Sequence, residues 1–131
     1  MAAVVTKYGF VETAKFLTNI DSPVAFASIA VGTGSTAEGT DVSALQTEIT
    51  ASGLTRASAA TVTTASSATN SDTAKYAHTW TATGSYNVKE CGVLNSNTGG
   101  DLLCYATFAS AIPMESADTL QVTWSVQVKA G

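Results

Sequence analysis

The most regular pattern along the chain is an alternation of apolar and polar residues near its end. Apolar side chains occupy every second position from Leu120 to Val128, with Gln, Thr, Ser or Lys between and after them. A period of two over nine residues is typical of a β-strand with one buried face. We therefore predict a strand over residues 120–129.

Shorter patterns predict further strands upstream. Each is an apolar or Thr-rich run bounded by turn-forming residues, and together they cover residues 24–31, 54–64, 75–82, 86–94 and 101–110. Residues 24–31 are apolar on both faces, which fits a central strand. The Ser/Asn/Gly turn at 95–100 joins the last two runs into a hairpin. The polar low-complexity segment at 63–74 predicts a loop that packs no core.

Two short stretches have helical spacing. In residues 9–20 the apolar side chains fall on one face, namely Phe10, Val11, Ala14 and Leu17. In residues 41–50 Asp41 is a candidate N-cap, and Val42, Leu45 and Ile49 recur at intervals of three and four. The strands follow one another without β-α-β alternation. The predicted fold is therefore mainly β, an antiparallel β-sandwich (jelly-roll-like) with one or two short helices, formed by residues 1–131 as a single domain.

Composition narrows the range of partners. The chain has 131 residues, of which 45% are hydrophobic and only 12% charged, and its formal net charge is −4. Six Lys and Arg residues, spread thinly, form no basic patch, so we predict no nucleic-acid binding. The longest apolar run, 24–31, is too short to span a bilayer, and no targeting segment is visible at the start, so a soluble protein without membrane contact is expected. A polar but weakly charged surface suits large contacts with other proteins.

The stretch FASIAVGTGSTAEG contains a G-x-G-x-x-A pattern made by Gly32, Gly34 and Ala37. A dinucleotide site needs a helix after the glycines and an acidic residue about 20 positions on. Gly39 lies where that helix would run, and Ser52 occupies the position of the acid. We interpret the glycines as a turn leaving a buried strand and predict no cofactor. The loop at 35–41 is then a flexible polar segment and a candidate for contact with another protein.

No catalytic or metal-binding set can be assembled. His78 is the only histidine, and no G-x-S-x-G motif accompanies it. The carboxylates Glu48, Glu90 and Glu115 lie on different predicted elements, so nothing unites them as a glycosidase pair. Two cysteines and one histidine make a metal site improbable. We predict that the protein is not an enzyme.

The two cysteines flank the hairpin turn. If Asn95 pairs with Gly100, Cys91 lies directly opposite Cys104. Free buried thiols are expected in a reducing cytoplasm. The alternative is a cross-strand disulfide that forms later, outside the cell.

Two charges stand out in apolar surroundings. Arg56 lies on a predicted strand that is otherwise almost uncharged, and Glu90 lies inside an apolar hairpin strand. A buried unpaired charge costs several kcal/mol. We therefore predict that Arg56 has a carboxylate partner, either Glu48 or Glu90.

The order of these motifs resembles small structural proteins of tailed bacteriophages. IAVGTG with Gly32 and Gly34 is followed by ALQTEI with Glu48, then by Arg56, and then by VKECGVL with Glu90 and Gly92. The same order is similar to that in the N-terminal attachment domain of phage tail-collar fibres. That family's Ile-Arg-Glu is Val-Lys-Glu here, and its Gly-Leu-Phe is Gly-Val-Leu. The resemblance implies structural roles for these six residues.

The resemblance implies a non-enzymatic virion protein, assembled in the host cytoplasm. The first hypothesis is a capsid decoration (cement) protein that binds the major capsid protein and bridges subunits on the outer head surface. We expect it to act there as a homo-oligomer, a trimer. The alternative is a tail, collar or baseplate fibre-attachment protein. A third hypothesis, a carbohydrate-binding module, would use Tyr76, Trp80 or Trp124 to stack on a sugar.

Overall fold

The computed structural model describes residues 2–64 and 72–128, and this part of the chain contains eight strands and one helix. In chain order the elements are β1 Ala2–Val5, α1 Lys7–Thr18, β2 Ser28–Gly32, β3 Ala57–Ser58, β4 Ala60–Thr64, β5 Thr73–Thr81, β6 Tyr86–Leu94, β7 Leu102–Met114 and β8 Thr119–Gln127. The middle of the predicted polar loop, 65–71, and the predicted end of the last strand at 129 lie outside the described residues. That residues 1–131 form a single domain stays a prediction.

The strands form two antiparallel sheets. One has the order β1-β7-β6-β2-β3 and the other the order β4-β5-β8. The chain passes from the first sheet to the second at Ala59, between β3 and β4, where the Ala59 N–H donates to the Ala27 carbonyl over 2.8 Å. The predicted continuous strand 54–64 is therefore wrong, because its two halves pair with different sheets. The prediction of a mainly β, antiparallel sandwich is confirmed.

The sandwich has two apolar clusters. The main core between the sheets includes Ile29, Val31, Trp80 and Val93, while Ala30, Leu45, Leu94, Leu102 and Tyr105 form a smaller cluster. Strand β2 contributes to both clusters because successive side chains of a strand point to opposite faces. All five of its residues are buried, so the central strand predicted from a doubly apolar run is confirmed, although it starts at Ser28 and not at residue 24.

Helix α1 begins at a capped N-terminus. The buried hydroxyl of Thr6 accepts a hydrogen bond from the Gly9 N–H at 3.1 Å and donates to the Leu102 carbonyl. The helix therefore forms close to its predicted position. Its buried residues are Gly9 and Glu12, and Gly9 lies directly against the backbone of Leu103. The apolar residues that predicted the helix are exposed instead, which is the reverse of an ordinary amphipathic helix.

Strand β1 is an addition to the predicted set. It pairs with β7 from Ala2↔Thr107 to Val5↔Cys104 and forms one edge of the five-stranded sheet. Its four residues are too few to show a period. The predicted strands at 75–82, 86–94, 101–110 and 120–129 correspond to β5, β6, β7 and β8 with small shifts at their ends.

The predicted helix at 41–50 is wrong. These residues form a loop with one isolated bridge between Glu48 and Gly32. Leu45 belongs to the smaller cluster and Ile49 to the main core, so their spacing of four reflects burial on two different sides. Asp41 is not an N-cap, and its carboxylate forms an exposed ion pair with Lys7 at 2.7 Å.

Candidate functional site

The most distinctive polar feature is a carboxylate buried at the end of β2. Glu90 on β6 is 0% exposed. Its oxygens accept hydrogen bonds from the backbone N–H groups of Gly34, Gln46 and Thr47 at 3.3, 3.0 and 2.8 Å. The hydroxyl of Tyr105 donates to it at 2.6 Å. We call these five residues the Glu90 cluster.

The glycines that imitate a nucleotide motif are required by this cluster. A Cβ added to Gly32 would collide with the Glu90 carboxylate and the Thr47 carbonyl, and one added to Gly34 would lie 2.5 Å from Gln46 Cβ and 2.8 Å from Glu90 Oε1. Only glycine lets the backbone approach the carboxylate so closely. The motif therefore serves close packing around a buried acid.

Tyr105 is the cluster residue that the sequence prediction missed. It lies in β7 and is 0% exposed. Burial and the hydrogen bond to the adjacent Glu90 carboxylate raise the pKa of Tyr105 well above its usual value. A buried tyrosine hydroxyl nearly always has a partner, so a lone Tyr in an apolar strand was the available signal. Gln46 and Thr47 bind the Glu90 carboxylate only through their backbone N–H groups, so their side chains gave no such signal in the sequence.

A second cluster ties the loop after β2 to the tip of the β6–β7 hairpin. Arg56 forms a two-pronged ion pair with Glu48, with Nη2 to Oε1 at 2.6 Å and Nε to Oε2 at 3.0 Å. Its Nη1 donates to the carbonyls of Ser96 and Gly99 at 2.9 and 2.8 Å. Of the two predicted carboxylate partners, Glu48 is therefore the one in contact with Arg56. The other, Glu90, is held by backbone N–H groups and a phenol.

Gly92 lies where the smaller cluster touches the β6 backbone. A Cβ there would meet Leu102 Cδ1 at 2.7 Å and Leu45 Cδ1 at 3.0 Å. Leu45 belongs to the same loop that supplies Gln46 and Thr47. Gly92 and Glu90 thus both accommodate this loop, one by leaving room and one by accepting hydrogen bonds.

The loop at 35–41, predicted to be flexible, is attached to the sheet beneath it. Ser35 donates its N–H to Gln46 Oε1 at 2.8 Å, and the Glu38 carboxylate accepts hydrogen bonds from the N–H and hydroxyl of Thr107. These bonds lower the pKa of Glu38. Contact of this loop with another protein stays a prediction.

The two cysteines are both free and both buried. They are not directly opposite each other: Cys91 faces Ala106, and Cys104 faces Val93. Two changes of register explain the wrong prediction. Asn95 pairs with Asp101, not with Gly100, and an irregularity lies between Val93 and Leu94. Burial raises the pKa of each thiol to about 12.

The remaining candidate residues are dispersed. Tyr76 and Trp80 are buried in the main core, where Trp80 donates its indole N–H to the Thr55 carbonyl. His78 packs edge-on against Trp80, with ring centroids 4.7 Å apart. Trp124 packs against the same core, and Glu115 lies exposed near the start of β8. None of these side chains joins the Glu90 or Arg56 clusters.

These clusters are built to hold backbone in place. The Glu90 carboxylate is enclosed. Arg56 and Glu48 line an open depression of about 360 Å³ beside the hairpin tip, but four of the Arg56 N–H donors already have partners within the chain. In residues 2–64 and 72–128, no group of three or more His, Cys, Asp and Glu side chains is arranged to hold a metal ion. Over the same residues, no helix has the length and apolar character needed to cross a bilayer.

Comparison with protein families gives one match, which covers most of the sandwich. Residues 18–128 match the family described as podophage GP4 fiber I protein gp80. The chain belongs to this family. No curated protein and no solved structure has a significant match to it. The matched residues include both polar clusters, whereas β1 and nearly all of α1 precede them.

Membership of the gp80 family makes the chain a phage virion structural protein. The resemblance to virion proteins of tailed phages is confirmed at that level. The more specific expectations, a capsid decoration protein and a likeness to tail-collar fibres, stay predictions.

Proposed function

We propose that this protein is a non-enzymatic fibre component of the phage particle, attached to other virion proteins through its surface. The observation that carries the proposal is the match of residues 18–128 to a family described as a fibre protein. This favours the fibre-attachment hypothesis over capsid decoration, which was the first hypothesis from the sequence alone.

The polar clusters support a mechanical role. The Glu90 cluster joins β6, β7 and the loop after β2, while Arg56 joins that loop to the hairpin tip. Apart from the exposed bond between Arg56 and the Gly99 carbonyl, both clusters consist of buried or half-buried hydrogen bonds to charged groups, which are stronger than neutral ones. A segment fixed at several points keeps its shape under load, as a component that transmits force between virion proteins must.

Capsid decoration remains the second candidate because the surface is weakly charged, with 12% charged residues. Such a surface suits repeated shallow contacts that add through multivalency. Carbohydrate binding has less support, since Tyr76 and Trp80 lie in the core. No cofactor is proposed, and the trimer of the first hypothesis stays a proposal.

The number of copies per virion separates the two candidates. Quantitative mass spectrometry of purified virions, with the major capsid protein as internal standard, measures this number. A fibre component is expected at a small fraction of the capsid protein's copy number. A copy number comparable with that of the capsid protein would overturn the fibre proposal in favour of decoration.

A further inference from the structure

One flank of α1 exposes large apolar side chains. Phe10 is 59% exposed and Leu17 is 85% exposed. With Ala14 they follow an i, i+4, i+7 spacing and therefore share one side of the helix. Thr13 lies between Phe10 and Leu17 on that side, three residues after one and four before the other. We call Phe10, Thr13, Ala14 and Leu17 the α1 flank.

An apolar trough adjoins this flank. Two depressions, of about 320 and 260 Å³, share Ala25, Phe26, Ala74 and Tyr76 and so form one continuous feature. We call it the trough. It runs from Val62 on β4 to Phe16 and Val128, and Thr13 of the flank is part of its wall. Among the described residues that line it, Lys75 is the one with a charged side chain.

The exposed apolar residues concentrate on this surface. Among the described residues, eight large hydrophobic side chains are prominently exposed, and seven of them lie on the α1 flank, on the segment that follows α1 or along the trough: Phe10, Phe16, Leu17, Ile20, Val24, Val62 and Val128. The eighth, Val11, also lies on α1, about 100° around the helix from Phe10 and about 160° from Thr13, so it points away from the trough of its own chain. Monomeric proteins rarely expose an apolar surface of this extent without a binding role.

We propose that the trough binds the α1 flank of a second copy of this protein. Each chain carries both parts, an uncharged helix flank and, beside it, a mainly apolar trough with Lys75 at its wall. A helix in the trough would also contact the α1 flank of the copy that receives it. This is the helix-in-groove mode of recognition, in which residues at i, i+4 and i+7 act as anchors.

The available area is sufficient for a stable contact. With about 200 Å² for a fully exposed aromatic side chain, Phe10 and Phe16 each present on the order of 100 Å². The exposed large apolar side chains of residues 10–24 other than Val11 together present on the order of 500 Å², near the upper limit for a monomer surface. The trough adds further area, which brings each copy towards the roughly 800 Å² that a specific interface buries per partner.

The inference deepens the proposed function by naming one partner of the fibre component, a second copy of itself. Sedimentation velocity over a range of concentrations tests it on the purified protein. We expect the wild type to associate, and Leu17→Gln and Val62→Gln each to raise the dissociation constant about tenfold or more, because each removes one buried aliphatic side chain. Val11→Gln is the matched control and is expected to leave the constant within about twofold.

Circular dichroism confirms that the variants fold, which is expected because all three sites are exposed. A wild type that stays monomeric at high concentration overturns the proposal. So does a Leu17→Gln variant that associates like the wild type, or a Val11→Gln variant that is weakened equally. These measurements use the purified protein and not the virion. Self-association can therefore be disproved while the copy number supports the fibre proposal, and the copy number can contradict the fibre proposal while self-association is observed.

Disulfide trapping tests directly whether the α1 flank of one copy lies in the trough of another. A Leu17→Cys variant is mixed with an equal amount of a Val62→Cys variant under mild oxidation, and the native thiols remain buried. We expect cross-links between the two variants in excess of either homodimer. Predominant Leu17→Cys homodimers would mean that the flanks pack on each other, which overturns the trough as the binding surface.

Discussion

The Tyr105 hydroxyl donates a hydrogen bond to the Glu90 carboxylate over 2.6 Å, and neither residue has any exposed surface. This contact joins β7 to β6, while the three backbone N–H groups on the other side of the carboxylate hold the loop after β2. The spacing of Val42, Leu45 and Ile49 predicts a helix, but this segment is a loop whose backbone is held by hydrogen bonds to a buried carboxylate.

Replacing Glu90 by glutamine is expected to destabilise the fold by about 2–4 kcal/mol. The carboxylate offers only acceptors to four donors, whereas the amide would direct its own NH₂ group at one of them. Urea unfolding monitored by fluorescence measures the loss. Glu115→Gln is the control, since Glu115 is exposed, and we expect a change within about 0.5 kcal/mol. Equal effects of the two substitutions would contradict the structural role of Glu90.

Stability is expected to fall at alkaline pH, in part through Tyr105. Burial, together with the hydrogen bond to Glu90, raises the pKa of this phenol in the folded state above its ordinary value of 10.0. Its contribution is therefore fully present below about pH 10 and is lost as the pH rises through the folded-state pKa. Urea midpoints measured from pH 7 to pH 11 should decline above pH 9–10.

The Tyr105→Phe variant separates the contribution of this phenol from the general loss of stability at alkaline pH. The variant should be less stable by about 1–3 kcal/mol at neutral pH, and its decline above pH 10 should be shallower than that of the wild type. Tyr86→Phe, at a half-buried tyrosine, should retain the wild-type profile. An unchanged profile for Tyr105→Phe would show that the phenol does not contribute.

The two thiols are expected to resist modification in the native protein. Their burial raises the pKa of each to about 12, so almost no thiolate is present at pH 8, and thiolate is the reactive form. A chromogenic disulfide reagent should label neither cysteine in buffer and both in concentrated guanidinium chloride. Failure to label either one in guanidinium chloride without reductant would reveal the disulfide alternative.

Loss of the Arg56 side chain should loosen the hairpin tip. Arg56→Gln removes the ion pair with Glu48 and two bonds to hairpin carbonyls, so we expect a loss of about 1–3 kcal/mol in unfolding free energy. Lys75→Gln on β5 removes a charge without touching this cluster and serves as the control. Full thermal stability of Arg56→Gln, measured by calorimetry, would show that the cluster is dispensable.

The sheets could be predicted because their signal is local. Alternation in 120–129 and apolar runs in β2, β5, β6 and β7 follow directly from the pleat of a strand. The break at Ala59 could not be predicted, since both halves of the run have the same composition and differ only in the sheet that they join. The register of the hairpin failed for a similar reason, because an irregularity beside Leu94 leaves no mark in the sequence.

The polar clusters were partly predictable. Arg56 lies in a stretch with almost no other charged residue, and this was enough to indicate that it has a carboxylate partner. Three of the four partners of Glu90 were not foreseeable, because they are backbone groups 43 to 56 residues away, and any residue except proline supplies such a group. The exposure of the apolar side chains of α1 was not predicted. An apolar side of a helix indicates that this side is buried in a contact, but it does not indicate whether the contact is within the chain or with another protein.

The central claim is that this protein is a fibre component of the phage particle. Cryo-electron microscopy of intact virions, with the sandwich fitted into the map, tests it most directly. The account predicts that density matching the five- and three-stranded sheets lies in the fibres or at their attachment points. Density for the sandwich distributed over the capsid lattice and absent from the fibres would contradict it.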